Sequence, residues 1–228
     1  MWSAGCPRRT RWARRWRGCS VSSAASSIFS GLSFFTSPRR WLPGFSPADG
    51  EPALRTLLSR YLYAYGPAAP GHFARWLGVP PGYAAGQFGT LADDLERVEL
   101  DGEPAWTLAG DTATPPGPCR GVRLLPYFDA YAVAGQPRDR LYPGPAATRA
   151  LTPAGQAGNY PVLLVDGTVG GVWHMRRSGR KLTITVEPLR ELTAAQRREL
   201  GNEADLVGAV MQATPTLTVG TVSAGAHA

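Results

Sequence analysis

Between Ala53 and Tyr65 the apolar positions Leu54, Leu57, Leu58, Tyr61, Leu62 and Tyr65 recur at helical spacing, while Arg55, Ser59 and Arg60 fall outside the stripe. That spacing predicts an amphipathic first helix, stopped by Gly66-Pro67. Pro70 suits the first turn of a short second helix, where a missing N–H costs nothing, with Phe73, Trp76 and Leu77 inward and Gly78 as its C-terminal cap. Pro80-Pro81 opens a third helix, on which Ala84, Phe88, Leu91 and Leu95 stand at i, i+4, i+7 and i+11. Val98–Leu100 and Ala105–Leu108 then flank Asp101-Gly102, a pair that supplies the positive φ of a tight hairpin turn. Three helices followed by a hairpin is the order of a winged helix-turn-helix domain, predicted over residues 34–110.

The pattern changes after Leu108. Pro115, Pro116, Gly117 and Pro118 mark residues 111–121 as a linker, since they continue neither helix nor strand. Val122–Pro126 restarts as a short strand. Pro161–Val165, an Asp166-Gly167 turn, Thr168–Met175, a Ser178-Gly179 turn and Lys181–Val186 read as a three-stranded antiparallel meander. Leu182, Ile184 and Val186 alternate with Thr183 and Thr185, so one face is buried. Thr193 with Gln196 forms a capping box that starts a helix carrying Leu200, Ala204, Val207 and Met211, and Thr216–Val222 reads as a further strand. The expected fold class is α+β, with a β-rich C-terminal domain at 122–222 and a tail at 223–228.

Charge alters this picture only at the start of the chain. The net charge of +7 and the isoelectric point near 9.8 suggest a polyanion partner. Residues 1–50 hold eight arginines and one acid, so the remainder is neutral overall. Residues 1–33 are therefore read as an Arg/Ser-rich leader, whose serines interrupt any secretory core. A nucleic-acid-binding arm and an unstructured leader both fit it. No apolar run of about 20 residues exists, so no membrane contact is expected. Three unclustered cysteines and three scattered histidines fit neither a disulfide framework nor a metal site. They suit a reducing, cytoplasmic setting, and no cofactor is expected.

Two places carry candidate chemistry. Arg176, Arg177, Arg180 and Lys181 put four cations within six residues around one hairpin turn, a pattern that suits phosphate contacts or equally a solvated turn that deters edge aggregation. Asp129 lies among Tyr127, Phe128 and Tyr131, where apolar surroundings favour a proton-transferring carboxyl, although a capping role fits as well. The third helix is poorly equipped to read bases. Gln87 is its one suitable side chain, beside Ala85, Thr90, Asp93 and Asp94, and the wing tip carries Asp101 and Glu103. Arg138, Asp139 and Arg140 are expected in an exposed turn.

The combination of Arg40–Pro43, Arg60–Ala68, Phe73–Trp76, Leu124–Tyr131 and Val172–Arg177 resembles the AlkZ/YcaQ-type winged-helix family of DNA glycosylases. The resemblance implies tandem winged-helix units, a β-rich part that helps form a concave surface for duplex DNA, and action on alkylated or crosslinked bases. It also implies a Gln-Φ-Gln or Gln-Φ-Asp motif that positions water. None of the five glutamines here (Gln87, Gln136, Gln156, Gln196, Gln212) stands in such a motif. The chain therefore looks like the C-terminal part of such a protein, truncated and without its catalytic pair. The expectation is a DNA-binding protein; the alternatives are a non-catalytic winged-helix module that docks another protein and, with less support from its third helix, a transcriptional regulator.

Overall fold

The computed structural model describes residues 37–111 and 117–225. The expected leader, residues 34–36, part of the linker and the end of the tail lie outside the described residues. In chain order the elements are α1 Pro38–Trp41, α2 Gly50–Tyr65, α3 Pro70–Leu77, α4 Pro81–Thr90, β1 Leu95–Leu100, β2 Glu103–Leu108, β3 Val122–Leu125, α5 Ala130–Ala134, α6 Arg138–Leu141, α7 Pro145–Ala150, β4 Val162–Val165, β5 Thr168–Ser178, β6 Lys181–Pro188, α8 Ala194–Val210 and β7 Thr214–Val219. The result is a mixed α+β fold with antiparallel pairing in both of its sheets.

The first half packs α2, α3 and α4 with the β1–β2 hairpin. Its centre is aromatic: the Tyr61 ring lies 5.1 Å from Phe73 and 5.0 Å from Trp76, and Phe88 meets Trp106 edge-on at 5.9 Å. Burial there pushes the Tyr61 hydroxyl well above the usual tyrosine range. Gly78 ends α3 at φ +74, a left-handed conformation that a Cβ disfavours. Asp101 and Gly102 both take positive φ at the hairpin turn. Ala68 exchanges two backbone hydrogen bonds with Trp106, tying the α2–α3 connection to the hairpin.

The third helix is shorter than its apolar stripe predicts. It stops at Thr90, a 3-10 turn covers Ala92–Asp94, and Leu95 opens β1 opposite Leu108. Gly86 and Gly89 weaken the helix from within. Leu95 still reaches the same core from its strand, so an apolar period that spans two elements imitated one helix.

The second half is a five-stranded sheet in the order β3-β4-β5-β6-β7, antiparallel throughout except for the last pair, which is parallel. The expected meander is its centre. Helix α8 supplies the crossover that a parallel neighbour requires and covers one face, where Leu200 and Ala204 meet Leu163, Trp173, Leu182, Ile184 and Val186. Helices α5 to α7 cover part of the other face over Val162, Leu164, Val169 and Val172. The open N–H groups of edge strand β3 are taken by helix carboxylates: Val122 donates to Glu199 at 3.0 Å and Leu124 to Glu203 at 3.2 Å. Burial raises the Glu203 carboxyl pKa despite that hydrogen bond and nearby Arg123.

Two further expectations need correction. Arg138–Arg140 form part of a short helix rather than an exposed turn: Arg138 donates 2.6 Å to the Ala132 carbonyl and also bonds the Val133 carbonyl, closing the end of α5. Arg140 is paired with Asp101. Cys119, one of the three cysteines read as fitting no disulfide framework, is disulfide-bonded. Among the described residues no helix is long and apolar enough to cross a membrane, and no group of His, Cys, Asp and Glu could hold a metal ion.

One partly buried ion pair and one close approach test this packing. Arg149 holds Glu187 through two 3.0 Å bonds, and Val222 N–H donates to the same carboxylate at 2.7 Å. The Arg149 hydrogen bonds are the main reason the Glu187 carboxyl titrates below its usual range. Glu187→Gln should cost about 2 kcal/mol at neutral pH, because it leaves a partly buried guanidinium without its counter-charge. A depressed carboxylate stabilises above its unfolded pKa and loses that contribution as pH falls through the folded value. The gap between variant and wild type should therefore close in acid; urea titrations at neutral and acid pH measure it. Separately, a Cβ on Gly208 would lie 2.6 Å from Pro215 Cδ where α8 meets β7. Gly208→Ala should destabilise by about 1–3 kcal/mol in thermal melts, despite alanine's better helix propensity.

Candidate nucleic-acid interface

The β5–β6 hairpin projects beyond its own cover. From Val169 to Trp173 strand β5 is buried, His174 is half-buried, and every residue from Met175 to Lys181 is exposed. Register pairs Arg176 with Thr183, Arg177 with Leu182 and Ser178 with Lys181. Gly179 turns the chain at φ +59, and the Arg177 Nε donates to its carbonyl at 3.0 Å. Side chains alternate across a strand, so Arg177 shares the α8 side with Leu182, while Arg176 and Lys181 share the opposite side. The turn thus presents cations in several directions.

None of these four cations belongs to an ion pair among the described residues, whereas Arg55, Arg123, Arg140, Arg149 and Arg190 each face an acid. In water, two unit charges about 7 Å apart repel by only about 0.6 kcal/mol. The fold tolerates the cluster, and an approaching phosphate would meet groups that need not first leave a carboxylate.

The remaining candidate residues do not join this cluster. Gln87 is half-buried on α4, next to core residue Phe88, and α4 shows solvent mainly Tyr83, Ala85, Gly86, Gly89 and Thr90. Helix α4 therefore exposes no cation. The hairpin tip, read from sequence as carrying Asp101 and Glu103, is tied down by the Asp101–Arg140 pair. Asp129 is the N-cap of α5, its carboxylate accepting the Tyr131 N–H at 2.9 Å. That is the capping geometry its sequence setting also allowed.

A cavity of about 130 Å³ lies where the halves meet, lined by Tyr65, Leu100, Tyr131, Gln136, Arg140 and Thr168 among others. Its polar groups already have work: Arg140 pairs with Asp101, and the Tyr131 hydroxyl donates to the Gly167 carbonyl at 2.6 Å. Nearby, His72 Nδ1 accepts the Ala69 N–H at 3.3 Å, and burial together with Arg75 keeps its imidazole pKa below the usual value. These contacts join elements; they present no reactive constellation. The further strand expected at Thr216–Val222 is β7, Thr214–Val219; what sequence reasoning missed is its place alongside the hairpin, parallel to β6.

Comparison with known proteins agrees with this α+β architecture. The family described as "DNA glycosylase AlkZ-like" matches residues 7–210. An interstrand DNA cross-link repair glycosylase of Streptomyces sahachiroi is 33% identical over 133 residues, covering 56% of this chain and 35% of that protein. The solved structure of the Streptomyces sahachiroi DNA glycosylase AlkZ is similar with a TM-score of 0.61 and 27% identity, over 77% of this chain and 48% of that one. The chain spans less than half the length of each of these relatives.

Proposed function

This chain belongs to the AlkZ-like family of DNA glycosylases, and from that membership we propose that it binds duplex DNA by its sugar-phosphate backbone, with the β5–β6 turn as the contact. Residues 34–110 act as a winged helix-turn-helix domain that braces the molecule, residues 111–121 as the linker, and residues 122–222 as the β-rich domain that carries the contact. The observation behind this reading is the exposed set Arg176, Arg177, Arg180 and Lys181, none of which belongs to an ion pair among the described residues. Crosslinked duplex is the substrate class by analogy with the cross-link repair relative, and alkylated duplex by the family resemblance read from the sequence. The cytoplasm is the setting proposed, on the ground of the DNA substrate and not of cysteine usage, since Cys119 is disulfide-bonded.

The bare helix α4 and the tethered hairpin tip argue against groove reading by the winged helix itself, which is why the contact is assigned to the second half. They also favour the second reading, in which the winged helix is a protein-docking module. Phosphate contacts position without carrying base identity, so the hairpin should bind all duplex sequences alike.

Catalysis needs polar side chains that hold water against the developing sugar cation, and residues 1–228 contain no Gln-Φ-Gln or Gln-Φ-Asp motif. Asp129 is the remaining acid of interest, and its carboxylate is occupied as a helix cap.

Four phosphate contacts would add about −3.6 to the slope of log affinity against log salt on B-form DNA, at about −0.9 each. Replacing Arg177 and Arg180 by alanine should flatten the slope by about 1.8 and weaken unrelated duplex sequences equally, as read by fluorescence anisotropy. An unchanged slope would remove the hairpin from the interface and leave the docking reading. Incubation of the 228-residue chain with alkylated duplex, followed by alkali, should yield no strand cleavage above the protein-free control. Cleavage abolished by Asp129→Asn would instead make that residue catalytic.

A further inference from the structure

The hairpin turn continues into a sheet face that the helices leave bare. Register sets Ser178, Lys181 and Thr214 side by side across β5, β6 and β7, and sets Arg176, Thr183 and Thr216 side by side in the next row. All six are exposed. They share the side opposite to Leu182, Ile184 and Val186, which pack under α8. Helices α5 to α7 lie on the same side as these six but cover the sheet only around Val162, Leu164 and Val172. What is left open is a grid of four hydroxyls and two cations, with rows about 7 Å apart and strands about 4.8 Å apart.

Its composition selects a partner. Residues 51–228 carry as many acids as bases, yet no acid stands among these six or at the adjoining turn residues Arg177, Gly179 and Arg180. Hydroxyls and cations together are the side chains that meet phosphate and sugar oxygens. None of the six exposed residues carries an aromatic ring, and the nearest on this side, His174, is half-buried, so the grid gives unpaired bases little to stack on. We infer that this threonine-lined face of β5–β6–β7 is a second contact surface for the duplex backbone, extending the phosphate contact from the turn across the sheet. The inference rests on the hairpin reading above.

Anisotropy titrations of the full chain with a labelled B-form duplex test it. Thr183→Val with Thr216→Val removes two hydroxyls while keeping shape and strand preference. It should weaken binding by about fivefold per hydroxyl with the salt slope unchanged, because neutral contacts release no counterion. Thr183→Ser with Thr216→Ser keeps the hydroxyls and should bind as the wild type. Thr183→Glu with Thr216→Glu should weaken binding by about tenfold or more and flatten the slope, since the first of the two new carboxylates would sit beside Arg176 and compete with phosphate for it. A cooperative thermal transition for each variant secures the comparison, and the serine pair keeps the test alive should the glutamate pair misfold. Wild-type affinity in the valine pair, alongside loss in the Arg177→Ala, Arg180→Ala variant, would overturn the face while leaving the hairpin reading intact. Equal loss in the serine and valine pairs would overturn the hydroxyl contact. Absence of any effect from the arginine variant would instead remove the hairpin reading and this inference together.

Discussion

Strand β5 is buried for its first half and open for its second, and most of the second half of the molecule follows from that division. At Gly171 a Cβ would lie 2.4 Å from the Glu187 carbonyl oxygen, so only glycine lets β6 approach. Two residues on, Trp173 is buried and its indole N–H donates to the Leu125 carbonyl at 2.8 Å, which joins β5 to the end of β3. With the strand held there, its alternation is fixed. A register slip of one residue would carry Trp173 out of the core and turn Arg177 to the opposite face. The position of every cation at the turn depends on a buried tryptophan and a glycine several residues away.

The distribution of charge divides the same molecule by task. Arg149, Arg138 and Arg140 close helix ends, hold the chain near Val222 and join the β1–β2 hairpin to α6. Glu199 and Glu203 complete the hydrogen bonding of the β3 edge. These groups are spent on structure, and the Glu187 and Glu203 carboxyls show opposite outcomes of burial. A direct guanidinium bond outweighs desolvation for Glu187, whereas desolvation prevails for Glu203 beside a more distant arginine. The turn between β5 and β6 is where cations accumulate without such work. The helical half has an aromatic centre and a third helix without charged residues, and a fold does not by itself determine which of its surfaces meets a partner.

Local sequence alone determined much of the architecture. The stripe from Leu54 to Tyr65, Gly78 as a cap, Asp101-Gly102 as a tight turn, the Thr193–Gln196 box and the Leu182–Val186 alternation are each set by interactions within a few residues, and each has its expected form. So is the cluster of four cations, because a short turn keeps chain neighbours together. Tertiary structure decided the rest. It ended α4 at Thr90, since Leu95 reaches the same core from a strand. It tied Asp101 to Arg140 and gave Arg138 two carbonyls to close. It also laid β7 parallel to β6, so that Thr214 and Thr216 stand beside Lys181 and Thr183. Those contacts join residues tens of positions apart, and the periodicity of a segment carries its own buried face but not the identity of the neighbour it will meet.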